Sequence, residues 1–442
     1  MIAARATTRR SSLRRGALAG GALTLAAGCA PGRSAGPEAA AATVGPAAIR
    51  FTYWGAEPEE VSIQDRVIAA FRERHPQVRV ENAGDSAGTG PYHEKLVAQA
   101  AAGTWSDVGR IQSVDMPRFA KGGLLLALDE LVRRERYALD DFWPAVLPTT
   151  QYQQRRYTLP VIGGPNPLFW SPKLFREAGV PAATEQDARG AWTWDTFLEA
   201  ARRLTKEDGG ALRVGGYGVD LTWGGLGPFI WSAGGDYYTP QLTRCAVAEP
   251  AAVEGVQFMV DLIRRHRVWP APAEGAGALQ WFPGATIAMQ ISPITGSWQW
   301  RRDPAFEFDV VMNPRGRAGQ VGRLNANGYA VFSGSRAQAA AWEFLKHLAG
   351  AETLALLASL GRSFPWRRSV AQSKEYREGQ PIKSVEVVLK LAEQGRTWPV
   401  VAAWSDTERF ANPVLREMGD GQVSVRDGLE RIRAEADRLL TA

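Results

Sequence analysis

From Ile49 onward the chain alternates between two hydrophobic periods, and this alternation limits the folds open to it. Ile49-Arg50-Phe51-Thr52-Tyr53-Trp54 has the every-second-residue pattern of a strand, closed by Gly55. Residues 59–75 switch to helical spacing, with Ile63, Val67, Ile68 and Phe71 on one face and Pro76 as the stop. Val78-Arg79-Val80-Glu81 reads as a second strand. Residues 92–102 read as a second helix, with Tyr92, Leu96, Val97 and Ala100 on its apolar side and Gly103 after it. Strands and helices alternating at this spacing predict an α/β lobe with helices packed on a sheet. The pattern returns downstream. Residues 157–161 and 168–170 read as extended around a Gly163-Gly164-Pro165 break. Thr193 is placed to cap a helix over 194–204, with Phe197, Leu198, Ala201 and Leu204 inward. Residues 253–266, 337–348 and 425–440 read as further helices.

Ahead of this lobe, residues 1–28 hold five arginines (Arg5, Arg9, Arg10, Arg14, Arg15) and no acid. An uncharged run from Gly16 to Gly28 ends on Cys29. A basic start, a short apolar run and small residues before a cut site predict a secretory signal peptide over 1–28. The run is too short to span a bilayer. Small residues ending directly on a cysteine resemble a bacterial lipobox, which implies that Cys29 becomes the first mature residue and carries a lipid. Thr8-Arg9-Arg10-Ser11-Ser12-Leu13-Arg14 resembles a twin-arginine export signal, with the general secretory route as the alternative. Residues 29–48 have almost nothing to bury and read as a flexible tether between lipid and domain.

Loss of the leader changes the charge. The whole chain has 52 basic and 46 acidic side chains, but without those five arginines the balance is 47 to 46. Nothing in that balance points to a nucleic-acid partner. The 414 residues after the leader are too many for one compact core and predict two lobes. Cys245 has no second cysteine to pair with once Cys29 is lipidated, so it reads as a small buried hydrophobe. The four histidines show no metal-ligand spacing, and no cofactor is expected. No Gly-x-x-x-x-Gly-Lys loop is present, so any ATP hydrolysis would belong to a separate subunit. The 16 tryptophans equal the phenylalanines and outnumber the 10 tyrosines, which supplies plates for flat apolar ligand faces as well as core.

Several landmarks fall in a recognisable order. They include Phe51-Thr52-Tyr53-Trp54-Gly55, Gly103-Thr104-Trp105-Ser106-Asp107-Val108, Trp192-Thr193-Trp194-Asp195-Thr196-Phe197 and Gly234-Gly235-Asp236. Phe282-Pro283-Gly284-Ala285-Thr286-Ile287-Ala288-Met289 and Trp342-Glu343-Phe344-Leu345 follow. This order resembles the extracellular solute-binding proteins of ABC importers, in the carbohydrate-binding group that includes maltose-binding protein. The resemblance covers nearly all of 49–442, and it departs from the family where Trp170-Ser171 stands in place of a common Tyr-Asn pair. It implies an α/β, two-lobe periplasmic-binding-protein fold of the type II kind, with a ligand cleft between lobes joined by hinge crossings. Lobe 1 would be 49–160 plus 326–365, and lobe 2 would be 161–325 plus 366–442. It also implies a monomer that closes over a sugar and hands it to importer permease subunits at the outer face of the bacterial cytoplasmic membrane. Glycerol phosphate or a polyol is the alternative solute, and a surface adhesin without a small-molecule site is a third class.

A sugar offers apolar C–H faces and a rim of hydroxyls, so its site needs aromatic plates with carboxylates, amides or guanidinium groups. The resemblance places Trp54 and Glu57 in the loop after the first strand, and Ser113 and Asp115 in the loop after the Asp107-Val108 strand. In the second lobe it points to Trp223 in a glycine-rich loop and to Trp298 in Gly296-Ser297-Trp298-Gln299-Trp300. Asn327, with Asn325, would line the second hinge crossing. Trp366 and Arg367 would follow the re-entry into lobe 2, where Arg367 would take a phosphate, and Trp404 would complete the cleft. For each tryptophan, core packing is the competing reading, and Trp192, Trp194 and Asp236 read as structural.

Gly84-Asp85-Ser86-Ala87-Gly88 fits Gly-x-Ser-x-Gly, the nucleophile elbow of α/β-hydrolases, and lies between a strand and a helix as that motif requires. An esterase using Ser86 is therefore a rival. Against it, only 37 residues separate Ile49 from Ser86, leaving little room for the strands that precede such an elbow. His347 lies inside a helix and His266 lies among arginines, both poor places for a general base.

Overall fold

The computed structural model of the protein describes residues 45–209, 211–269, 286–301 and 306–441. The leader, Cys29 and the tether up to residue 44 lie outside the described residues, as do Phe282 to Ala285 of the landmark series.

The first elements are β1 (Ala47–Thr52), α1 (Pro58–Arg74), β2 (Val78–Asn82), α2 (Thr89–Ala101) and β3 (Val108–Ile111). β1 pairs in parallel with β2 on one side and β3 on the other. Parallel neighbours need crossovers, and α1 and α2 supply them. Ile49 and Phe51 of β1 and Val78 and Val80 of β2 pack on Ile63, Val67, Ile68 and Phe71 of α1. That is the helix face picked out by the sequence period. Tyr92 and Leu96 of α2 enter a smaller cluster with Ile111, Phe119 and Phe332. Trp54, one step beyond β1, forms an isolated bridge with Asp85.

The strand Arg323–Val331 runs antiparallel to β3 on one side and to Leu159–Asn166 on the other, completing a five-stranded mixed sheet. Its sequence hides it. Most of its residues are buried on both faces, so no two-residue alternation marks it, and Asn325, Asn327 and Gly328 interrupt the apolar run.

Only Pro167 separates Leu159–Asn166 from Leu168–Trp170, which is the middle strand of a second, antiparallel sheet. Met289–Ile291 and Asp309–Val311 flank it. The chain therefore passes directly from the larger sheet to the smaller one and returns between Val311 and Arg323. Phe169 and Val310 join the core that begins under β1 and α1. Leu168, Trp170 and Val311 alternate to the opposite face and start a second core with Phe197, Ile230, Val256, Val414 and Leu429. Two sheets with helices on their faces and direct crossings between them give the α/β, two-lobe architecture.

Local signals place the helices of the second core. Thr193 caps Trp194–Leu204 through a capping box with Thr196. Cys245 is buried there, and burial pushes its thiol up to about 12, as suits a packing residue. The C-terminal helices Trp404–Asp420 and Val425–Thr441 close the layer. Among the described residues, no helix is long and apolar enough to cross a membrane.

The crossing itself is tightly built. Gly163 has φ +120, and a Cβ there would lie 1.8 Å from the carbonyl oxygen of Asn325. No larger residue fits without separating the two antiparallel strands. Gly163→Ala is expected to destabilise the protein by about 2 kcal/mol or more. An unchanged urea midpoint for that variant would refute this account of the crossing.

Candidate functional site

A cavity of about 280 Å³ opens between the larger sheet and the short helix Gly296–Trp300 that follows the smaller sheet's Met289–Ile291 strand. One wall is Glu59 and Glu60 from the first turn of α1, Arg110 from β3, and the turn Leu360, Gly361, Arg362. The other wall is Thr295, Gly296, Trp298 and Arg301, with Ile162 at the crossing.

Arg110 organises the first wall. It is a charged residue in a four-residue central strand whose every position is buried. Its Nη2 donates to Glu60 Oε1 at 2.8 Å and to Tyr329 Oη at 2.9 Å. Its Nε donates to Tyr329 Oη at 3.1 Å, and its Nη1 donates to the Trp54 carbonyl at 3.3 Å. The guanidinium also lies 5.0 Å from the centre of the Trp54 ring. Burial opposes its charge, yet Tyr329 and Glu60 outweigh burial and raise its pKa. For Glu60, burial likewise opposes the charge, but Arg110, Gln64 and Arg362 hold its carboxyl below the ordinary 4.5. Arg362 reaches both Glu59 and Glu60 at 3.4 Å.

On the second wall Trp298 is half-buried, and the Arg301 guanidinium stands 3.8 Å over its ring. Gly361 packs against the same indole. A Cβ on it would fall 1.8 Å from Trp298 Cγ, and its φ is +70. The family-like position of Trp298 thus lines the cavity, and a glycine makes room for it.

The other residues singled out by sequence divide clearly. Trp54 touches the site through Arg110, while Glu57 is exposed and contributes no cap to α1. Ser113, Asp115 and Asn327 form a separate constellation. The Ser113 backbone N–H donates to Asn327 Oδ1 at 3.1 Å. Asp115 lies 2.9 Å from His93 Nδ1 and accepts from Ser405 Oγ at 2.8 Å. Burial works against the Asp115 charge, but His93, Ser405 and Arg118 hold its carboxyl below the ordinary range. Nearby, burial first, then Asp115 and Asp220, push the Glu408 carboxyl upward.

Trp223, Trp366 and Trp404 are corrected from ligand contacts to core. Each has at most 1% of its surface exposed. Trp223 packs on Tyr237 and Trp404, and Trp366 packs on Phe364. Arg367 is corrected as well. Its Nε donates to the Ala349 carbonyl at 2.8 Å, its Nη2 to Tyr137 Oη at 2.8 Å, and its Nη1 pairs with Asp141 at 3.3 Å. Three of its five donors are committed inside the fold, and the side chain is buried outside the cavity lining, so it is not placed to take a phosphate there. Sequence reasoning missed Arg110, Glu60, Arg301 and Arg362. An arginine inside the apolar run of β3 was the available signal, because an unpaired charge does not stay in a buried strand.

Ser86 is exposed. His93, the next histidine in the sequence, is buried with its Nδ1 toward Asp115 and its Nε2 accepting the Gln112 N–H at 3.4 Å.

Glu60→Gln leaves the Arg110 charge buried without its carboxylate and is expected to cost about 3–5 kcal/mol at neutral pH. Because the folded pKa of Glu60 is depressed, its contribution is present above 4.5 and lost as pH falls through the folded value. The gap between wild type and variant, followed by urea unfolding, should narrow on acidification. A gap that is small at pH 7, or that widens in acid, would sink this assignment.

A family model described as bacterial extracellular solute-binding protein matches residues 55–355. Among solved structures, an ABC substrate-binding protein from Listeria monocytogenes in complex with cycloalternan is similar, with TM-score 0.78 and 20% identity over 89% of this chain and 99% of that one. A solute-binding protein from Thermotoga lettingae bound with alpha-D-tagatose gives TM-score 0.76 and 20% identity over 89% and 99%. UgpB from Mycobacterium tuberculosis in complex with glycerophosphocholine gives TM-score 0.75 and 18% identity over 88% and 98%. These likenesses share the two-lobe fold.

Proposed function

The chain belongs to the bacterial extracellular solute-binding protein family, and from that premise we propose that it captures a mono- or oligosaccharide by lobe closure and delivers it to an ABC importer. The observation that carries this reading is the cavity between elements of the two sheets, with the Trp298 indole on one wall and Glu59, Glu60 and Arg362 on the other. An indole with facing carboxylates and guanidinium groups matches the apolar faces and hydroxyl rim of a sugar. The similar proteins bound to cycloalternan and to tagatose support the same class. Three arginines in the cavity, together with the glycerophosphocholine complex of a similar protein, favour glycerol phosphate or a polyol as the second reading.

The role is capture rather than catalysis. His93 is committed to Asp115 and Gln112, which argues against its serving as a base for exposed Ser86. Hydrolysis of nitrophenyl esters that disappears in Ser86→Ala would reverse this statement. Secretion by the leader and lipidation at Cys29 would hold the protein at the outer face of the cytoplasmic membrane, and the working form is a monomer. Cys29→Ser should release it from membranes or leave it unprocessed, as fractionation would reveal. Normal processing with full membrane retention would remove lipidation as the anchor.

A thermal-shift screen against sugars, polyols and sugar phosphates finds the solute, since a ligand of the native state raises Tm. Trp298→Ala should then weaken a confirmed sugar several-fold or more by calorimetry, because aromatic contact geometry contributes about 0.5–1.5 kcal/mol and lost burial adds to it. Closure should also reduce the radius of gyration when that sugar is added. Equal affinity in wild type and variant, with no compaction, would place the site elsewhere.

A further inference from the structure

The arginines of the cavity are not equivalent. Arg110 is neutralised by Glu60 at 2.8 Å, and Arg362 sits 3.4 Å from both Glu59 and Glu60. Arg301 is exposed, and among the described residues no carboxylate pairs with it. Its guanidinium instead rests 3.8 Å over the Trp298 ring. Contact with the ring face holds the guanidinium in place but uses none of its N–H donors. A planar, oriented fork at the mouth of a cavity suits one ligand group above others, an acid that accepts two parallel hydrogen bonds. The same contact covers part of the indole, so a sugar without an acid has less of the ring to meet and gains nothing from the Arg301 charge.

Resting on the carbohydrate reading above, we propose that the ligand is an acidic sugar, bearing a carboxylate or phosphate that Arg301 receives while stacked on Trp298. Arg301 is then the residue that sets specificity. Glu59 and Glu60 do not repel the acid, because both are paired to Arg362 and the acid docks at the opposite wall.

Calorimetry on the purified protein compares four probes: glucose, glucuronate, glucose 6-phosphate and glycerol 3-phosphate. The expected result is at least tenfold tighter binding of glucuronate or glucose 6-phosphate than of glucose, the better of the two identifying carboxylate or phosphate as the source. Arg301→Ala should erase that preference with the Tm of the unliganded protein unchanged, since the side chain is exposed, and Arg301→Lys should restore only part of it. If glucose binds as tightly as both acids, or Arg301→Ala keeps the preference, the acid proposal falls and the carbohydrate reading stands. If glycerol 3-phosphate alone binds, and does so through Arg301, the acid site stands and the carbohydrate reading falls. If none of the four binds, the acid proposal is overturned, and the thermal-shift screen with oligosaccharides decides the carbohydrate reading.

Discussion

The buried contact of Arg110 with Glu60 and Tyr329 is the interaction on which the rest of the site depends. Arg110 belongs to β3, Glu60 to the first turn of α1, and Tyr329 to the Arg323–Val331 strand that crosses between the sheets. One guanidinium therefore fixes the helix start, the sheet and the crossing strand relative to one another. A hydrophobic side chain in its place would pack at least as well, since a buried ion pair gains little net stability over apolar packing. What the pair supplies is direction. It holds Glu60 ionised beneath the cavity and draws the Trp54 carbonyl inward, so that the polar groups of one wall are set before any solute arrives.

The tryptophans divide by what stands beside them rather than by how many there are. Trp223, Trp398 and Trp404 pack together beside Tyr237, where the C-terminal helix meets the glycine-rich loop. Gly224 is needed there because a Cβ would come within 3.0 Å of the Trp398 ring. Trp298 follows the same packing rule with a different result. Gly361 lets its indole approach the turn, but Arg301 rather than another aromatic covers a face of it, so the ring stays at the cavity edge. A glycine beside an indole thus marks close packing in both places, and each of these half-buried rings also carries a guanidinium, Arg323 over Trp398 and Arg301 over Trp298.

Most of the fold was legible in the sequence because its elements obey one period each. α1 shows its buried face at Ile63, Val67 and Phe71, and Thr193 announces its helix through the capping box. The Arg323–Val331 strand was not legible, because a strand buried on both faces loses alternation and this one carries Asn325 and Asn327, the latter accepting the Ser113 N–H. The site was legible only where an aromatic stood at a recognisable spacing, as at Trp298. Arg367 and Arg301 show why the rest was not. Both are arginines beside aromatic rings, but one spends its donors on Ala349, Tyr137 and Asp141 while the other keeps them. That difference lies in partners more than 200 positions away for Tyr137 and Asp141, and no local pattern encodes it.

The lobe closure proposed for this chain would act on bonds the protein makes with itself. Val114 packs into the core of the smaller sheet, while its neighbour Met116 packs into the small cluster beneath α2. Between them Asp115 accepts from Ser405 at the start of the Trp404–Asp420 helix. On the proposed clamshell reading, opening the jaws would have to strain or break this joint. Such a bond would then favour closure before a solute binds and leave the solute to supply the remaining differential affinity. Glu408 works in the other direction. Burial, Asp115 and Asp220 push its carboxyl upward, and Arg323 offsets only part of that push. The joint thus sets a hydrogen bond at Asp115 against a desolvated carboxyl at Glu408, and any movement of one lobe on the other would have to act on both.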